Sequence, residues 1–315
     1  MSVLLFAVAV GLLAAPGVSL RPSRHVAPNR YVGAVALSIV AGVVFIEAAL
    51  MLAAVPTVLR AFGLTQLASL CERVAGHLVP GGAVTGWVAA VASVALPITM
   101  ATGMLKAVRD RRALWDFTVV LGRPIARVDG CDVVVVDVAR SLAMALPGAP
   151  ARIVVSSGLL QSLEDRELAV VLEHERAHVE LGHHRHQLIL GGLARCFSWM
   201  PLFGRSVQAW RFGLERSADE SAAGAACPRR MEVREAIRKV AVAPVPVSWA
   251  GLAFSPSILT EERMRMLARA PRGSSVVAAA VWLSVVSGVA LAGAVLMAWI
   301  GHTHHLAVVA PFCHL

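Results

Sequence analysis

The sequence predicts a mainly α-helical membrane protein: four transmembrane helices, with a cytoplasmic α+β domain between the third and fourth. Three observations carry this. Hydrophobic residues make up 57% of the chain and charged ones only 16%, with a mean hydropathy of +0.69, too apolar for a domain that must cover itself with polar side chains. The apolar residues are gathered into long stretches. Between the third and fourth stretch lies a segment long enough for one domain, and it carries nearly all the acidic residues.

The first stretch covers 2–20, broken only by Pro16 and Gly17. It lacks a basic segment ahead of its apolar part, and its positive charges follow it. It is therefore read as a retained span with the N-terminus outside rather than a cleaved signal peptide. The second covers 31–59, the third 82–105 and the fourth 275–300; each meets or approaches the roughly 20 residues that cross a bilayer as a helix. Glu47 sits inside the second, either as an intramembrane functional carboxylate or as one near the outer interface.

Arginine and lysine set the orientation. Arg21, Arg24 and Arg30 separate the first two spans; Lys106, Arg109, Arg111 and Arg112 follow the third; Arg269 and Arg272 precede the fourth. The segment 60–81 has only Arg60 and Arg73, and 301–315 has no Arg or Lys. The positive-inside rule places the first loop and the domain 106–272 in the cytoplasm, with both termini outside. Residues 1–105 thus form a three-span unit, and 273–315 the last span and a short outer tail.

The net charge of +9 is largely these juxtamembrane clusters, which suit the anionic cytoplasmic leaflet of a lipid bilayer. With no helix-turn-helix, zinc-finger or aromatic RNA-binding pattern, direct nucleic-acid binding is not expected. The five cysteines show no paired metal-binding spacing. Cys131, Cys196 and Cys227 fall in the cytoplasmic region and should stay reduced; Cys71 and Cys313 would face outside, paired or unpaired.

The domain opens with strand-like material. A Val-rich run over 132–138 follows a turn at Asp129-Gly130, and 141–146 and 152–156 flank Pro147-Gly148-Ala149-Pro150 as a hairpin. A helix is then expected from Leu163 to about Leu193, started by an N-cap at Ser162 with Asp165 three positions on, and given an apolar side by Leu168, Val171, Leu172 and Val179. Within it stands His174-Glu175-Arg176-Ala177-His178, an H-E-x-x-H pentad. Residues four apart share a helical face, so both imidazoles can reach one metal ion, while Glu175, one step round, can take a proton from an attacking water. A second helix, expected over 206–226, carries Glu215 and Asp219 on one face among Ala218, Ala222 and Ala223, small residues that permit close packing. Glu215 is the natural third ligand of a Zn2+ ion, and Asp219 suits a hydrogen bond to a ligating imidazole. His183, His184 and His186 lie one to two turns beyond the pentad, where capping or solvent-facing roles are expected instead of ligation. Arg216, Arg263 and Arg265 are candidates to stabilise an oxyanion.

In this order the motifs resemble the BlaR/MecR-type membrane zinc metallopeptidases, metallopeptidase family 56, and more distantly the HtpX-like and prenyl-protein proteases. The matching pieces are 152–160, 172–178, 215–219 and the Arg-rich 262–267. The resemblance implies a zincin-like metallopeptidase, an enzyme cutting a protein substrate. His174, His178 and Glu215 would hold the zinc, Glu175 would be the base, and Asp219 would support the site. It also implies a use: cleavage of a cytoplasmic transcriptional repressor. The best-known members continue into an extracellular penicillin-binding domain with an S-x-x-K nucleophile. Here only 301–315 follow the fourth span, and neither Lys106 nor Lys239 has a serine three positions before it, so no covalent β-lactam sensor is expected.

Overall fold

The computed structural model describes residues 2–18, 26–75, 82–224, 227–241 and 257–268. The apolar stretch 275–300 and the tail after it lie outside the described residues. Three apolar helices lead: α1 (Ser2–Val18), α2 (Pro28–Ala61) and α4 (Gly82–Leu121), with a short α3 (Thr65–Ala75) after α2. By length and composition α2 and α4 qualify as membrane spans; α1, at 17 residues, is shorter. Both long helices expose apolar rows, Leu37, Val40, Val44 and Met51 on α2 and Val84, Val88, Val91 and Ile98 on α4, surface that water would penalise and lipid would not.

At 1.5 Å per residue the 40-residue α4 is about 60 Å long, roughly twice a bilayer's hydrocarbon thickness. Its apolar part ends near Leu105, but the helix runs on through Lys106, which pairs with Asp110 one turn later, to Leu121. The extension delivers the chain to a four-stranded sheet: β1 (Arg123–Val128), β2 (Cys131–Val136), β3 (Ala143–Leu146) and β4 (Ala151–Ser156), ordered β1-β2-β4-β3. β1, which the sequence reading missed, joins β2 through the Asp129-Gly130 turn, both residues at positive φ. β2 and β4 run parallel, and β3 folds antiparallel onto β4 as the expected hairpin, which leaves β3 at an edge. Alternation sorts the side chains. Val133, Val135, Ile153 and Val155 face one core with Val170, Val171, Val233 and Ala236; Val136 and Val154 face the end of α4 at Leu114, Trp115 and Phe117. The Arg152 guanidinium lies 4.3 Å from the Trp115 ring centre.

A short α5 (Ser157–Ser162) precedes α6 (Asp165–Glu180), α7 (His183–Phe197), α8 (Pro201–Ala223), α9 (Cys227–Ala241) and α10 (Ser257–Leu267). The single helix expected from Leu163 to Leu193 is therefore two. Leu181 and Gly182 close α6 with amides bonded to the Ala177 and Val179 carbonyls, and Gly182 takes φ +65°, a left-handed conformation that costs glycine nothing. The helix start also moves: Glu164, not Ser162, is the N-cap, in a reciprocal capping box with Glu167. The second helix begins at Pro201, earlier than expected, because proline suits a helix's first turn. The aromatic side of α8, Phe203, Val207, Trp210 and Leu214, is buried with Tyr31, Val35 and Ile39 of α2 and Leu190, Leu193 and Phe197 of α7.

Candidate metal centre

The pentad lies in the C-terminal half of α6. Arg176 faces outward, paired with Glu173 and Glu180, which leaves His174, Glu175 and His178 on the inner side. Opposite, α8 approaches closely because Ala218, Ala222 and Ala223 are small and fully packed. This brings in Glu215 and Asp219, 4% and 1% exposed, acids that would not be buried without compensation.

His174 and His178 present their Nε2 atoms 3.1 Å apart. Glu215 places Oε2 3.6 Å from His174 Nε2 and Oε1 3.5 Å from His178 Nε2. A tetrahedral ion with bonds of about 2.0–2.1 Å has ligand atoms about 3.3–3.4 Å apart, so the spacing fits one small cation. Glu215 Oε1 is buried without a hydrogen-bond partner. A coordinate bond would satisfy it. With His174 neutral, as a ligand must be, Glu175, Glu215 and Asp219 set against Arg263 leave two negative charges in excess when the three acids are ionised. That balance, like the two-imidazole, one-carboxylate donor set, suits a divalent ion.

The supports are as ordered as the ligands. His174 Nδ1 lies 3.0 Å from Asp219 Oδ1. Asp219 in turn accepts from Arg263 Nε at 2.8 Å and Nη2 at 2.7 Å, and Arg263 Nη1 lies 3.0 Å from Glu215 Oε2. Of the three arginines considered for an oxyanion, only Arg263 is at the site. Arg216 is buried but points away, donating to the Val26 carbonyl at 3.1 Å, and Arg265 is exposed against Glu261 and Glu262.

Titration follows from this packing. Burial disfavours a charge on His174, but hydrogen bonds to Asp219 and Glu215 and their charges outweigh it and lift its pKa to about 10. His178 has no carboxylate bond to offset burial and falls to about 3. Glu215 and Asp219 are held well below the usual carboxylate range, since Arg263 and His174 overcome the burial penalty. Glu175 is pushed up to about 7 by burial, partly relieved by the His174 charge and by a hydrogen bond from the Ala145 backbone. Its carboxyl therefore touches β3, the edge strand. A cleft of about 220 Å³ opens there, walled by β3, by Val170 and Val171 of α6, by Val233, Ala236 and Ile237 of α9, and by Arg111 and Leu114 of α4.

All five residues singled out from the sequence, His174, Glu175, His178, Glu215 and Asp219, thus converge on one site, and His174, His178 and Glu215 form a group able to hold a metal ion. Residues 126–233 match the family profile of peptidase family M48. No curated protein and no solved structure matches the chain. The matched third of the chain runs from β1 into α9 and contains the pentad, Glu215 and Asp219; it supports a metallopeptidase domain, joined here to two helices apolar enough for membrane association.

His183 is the residue the sequence reading misplaced. It does not face solvent: it is 3% exposed, its Nδ1 2.7 Å from His178 Nδ1 and its Nε2 3.0 Å from Ser217 Oγ. Burial lowers its pKa to about 4 against the pull of the Glu215 charge. Gly182 was the available signal, since a glycine inside a helical pattern marks the turn that swings His183 back.

Proposed function

We propose that the protein is a membrane-anchored zinc metalloendopeptidase, hydrolysing peptide bonds of a protein substrate on the cytoplasmic side. The observation that carries this is the position of Glu175, its carboxyl set between the His174/His178/Glu215 cluster and the backbone of the open edge strand β3. An extended peptide laid along that edge would add a strand, its backbone held by hydrogen bonds and its carbonyl presented to the site. Glu175 takes a proton from the attacking water and hands it to the leaving amine, a role that suits a carboxyl with a pKa near neutrality. Asp219, clamped by Arg263, fixes the ring of His174. A zinc ion held by His174, His178 and Glu215 supplies Lewis-acid polarisation and a lowered water pKa.

Four spans with the first loop and the domain 106–272 on one side remain the topology we favour. The bond from Arg216, beside Glu215, to the Val26 carbonyl between α1 and α2 supports the shared side of the first loop and the domain. Within a BlaR/MecR-like scheme the substrate is a cytoplasmic repressor. A second reading, quality-control cleavage of membrane proteins, draws on Arg111 and Leu114: the end of a candidate span lines the cleft and brings it to the membrane surface.

The deciding experiment uses the full-length chain in detergent, wild type and Glu175→Gln, assayed for zinc content and for cleavage of a denatured protein. Cleavage lost with zinc retained is expected. Equal rates in both proteins remove the mechanism, and zinc bound without any cleavage favours a structural metal site in a scaffold.

A further inference from the structure

We propose that His183 and Ser217 are positioning residues, a hydrogen-bond relay that locks His178 in the tautomer whose Nε2 lone pair faces the metal. This rests on the metal-site reading above.

The direction of the relay follows from counting hydrogens. Ser217 has one hydroxyl hydrogen, and Oγ donates it to the Leu214 carbonyl at 2.8 Å. The 3.0 Å contact between Ser217 Oγ and His183 Nε2 therefore requires Nε2–H as donor. A neutral imidazole protonated at Nε2 has a bare Nδ1, so the 2.7 Å contact with His178 requires His178 Nδ1–H as donor. His178 then carries no hydrogen on Nε2, the atom facing His174 and Glu215. The opposite direction would leave Ser217 with two acceptors, His183 Nε2 and the Leu214 carbonyl, to satisfy from one hydrogen. The 3.1 Å contact between the two Nε2 atoms agrees, since one of them must be bare.

The relay also removes His183 as a ligand, because both its nitrogens are engaged. It begins on α6 and ends on α8 at Leu214 and Ser217, which bracket Glu215, so it ties the imidazole ligand to the backbone that carries the carboxylate ligand. The two histidines are thus backed differently: His174 by a carboxylate clamped by arginine, His178 by a neutral imidazole and a hydroxyl. Outer hydrogen bonds of this kind fix ring orientation and govern metal affinity.

The test is competitive zinc titration, against a chelating dye, of the metal-stripped full-length chain in detergent, with Co2+ absorption spectra in parallel. His183→Leu removes the acceptor and should weaken zinc binding by about 10- to 100-fold and alter the Co2+ spectrum. His183→Asp restores an acceptor opposite His178 Nδ1–H and should recover most of the affinity, which a purely space-filling role would not allow. If wild type binds one zinc ion and His183→Leu binds it as tightly, the relay is overturned. If wild type binds none, the metal-site reading itself fails. Should His183→Leu lose the cooperative melting of the metal-free chain, Ser217→Ala decides: a loss of about threefold or more supports the relay, and unchanged affinity overturns it.

Discussion

Arg263 grips Asp219 with two parallel hydrogen bonds, Nε to Oδ2 at 2.8 Å and Nη2 to Oδ1 at 2.7 Å, while its remaining nitrogen stands 3.0 Å from Glu215 Oε2. The guanidinium comes from α10, outside the segment matched to peptidase family M48, yet it holds two buried acids of the site. Its planar fork matches a carboxylate in a way an ammonium cannot.

Arg263→Gln should therefore destabilise the metal-free chain by about 3 kcal/mol, the low end for breaking a buried pair, because the site is slightly open to solvent. Zinc should recover part of the loss, since a cation then supplies the missing charge. Thermal melting with and without zinc checks both. Equal metal-free midpoints for wild type and variant would show that the clamp adds nothing to stability.

Stability should also depend on pH in a way that metal reverses. In the metal-free chain His174 is raised from 6.5 to about 10 and Glu175 from 4.5 to about 7, so both bind more protons folded than unfolded. The Glu175 contribution is lost between pH 4.5 and 7, and that of His174 between 6.5 and 10. His178 and His183, lowered to about 3 and 4, act oppositely, but their gain is complete by about pH 7. Above neutrality only the loss remains, and the metal-free melting temperature should fall from pH 7 to 10. Zinc should flatten this fall, and calorimetry in buffers of different ionisation enthalpy should detect about one proton released per ion near pH 8. A metal-free chain equally stable at pH 7 and 10 contradicts the assignment.

The edge strand offers a kinetic test. The Ala145 backbone serves Glu175 on the side away from β4, so Ala143, two residues earlier, also turns its N–H to the open edge. Ala143→Pro removes that donor without breaking the β3–β4 ladder, a place where proline is tolerated. KM for a protein substrate should rise about tenfold, equivalent to one hydrogen bond to substrate, with zinc affinity unchanged. An unaltered KM would exclude β3 as the substrate strand.

Chemistry was more legible in the sequence than geometry. The pentad and the Glu215–Asp219 pair are spaced by one helical turn, so local periodicity alone puts each set on one face, and the alanines between them signal close approach. Arg263 was nameable but not placeable, because its partners are 44 and 48 residues away and only tertiary packing joins them. His183 went astray for a different reason. Continuing the helix through Gly182 points it at solvent, and the reversal depends on one left-handed residue that apolar periodicity does not register. β1 was missed because its residues are mostly exposed and lack the continuous apolar run that marks β2 and β4.

The same dependence on packing makes the apolar helices part of the site, and one glycine tests it. Gly213 lies two residues before Glu215, and a Cβ there would meet Tyr31 Cδ1 at 2.8 Å and Val32 Cγ2 at 2.9 Å on α2. Only a bare backbone lets α8 lie this close, and interiors this tightly packed shift rather than compress. Gly213→Leu should push α8 off α2, carry Glu215 away from the imidazoles and weaken zinc binding more than about tenfold, a little over 1.4 kcal/mol. Gly204, on the same helix with nothing within 4 Å of its Cβ position, is the control. Gly204→Ala should leave zinc affinity unchanged and add up to about 1 kcal/mol of stability through helix propensity. If Gly213→Leu binds zinc as well as Gly204→Ala does, the metal site does not depend on how α8 packs against the span.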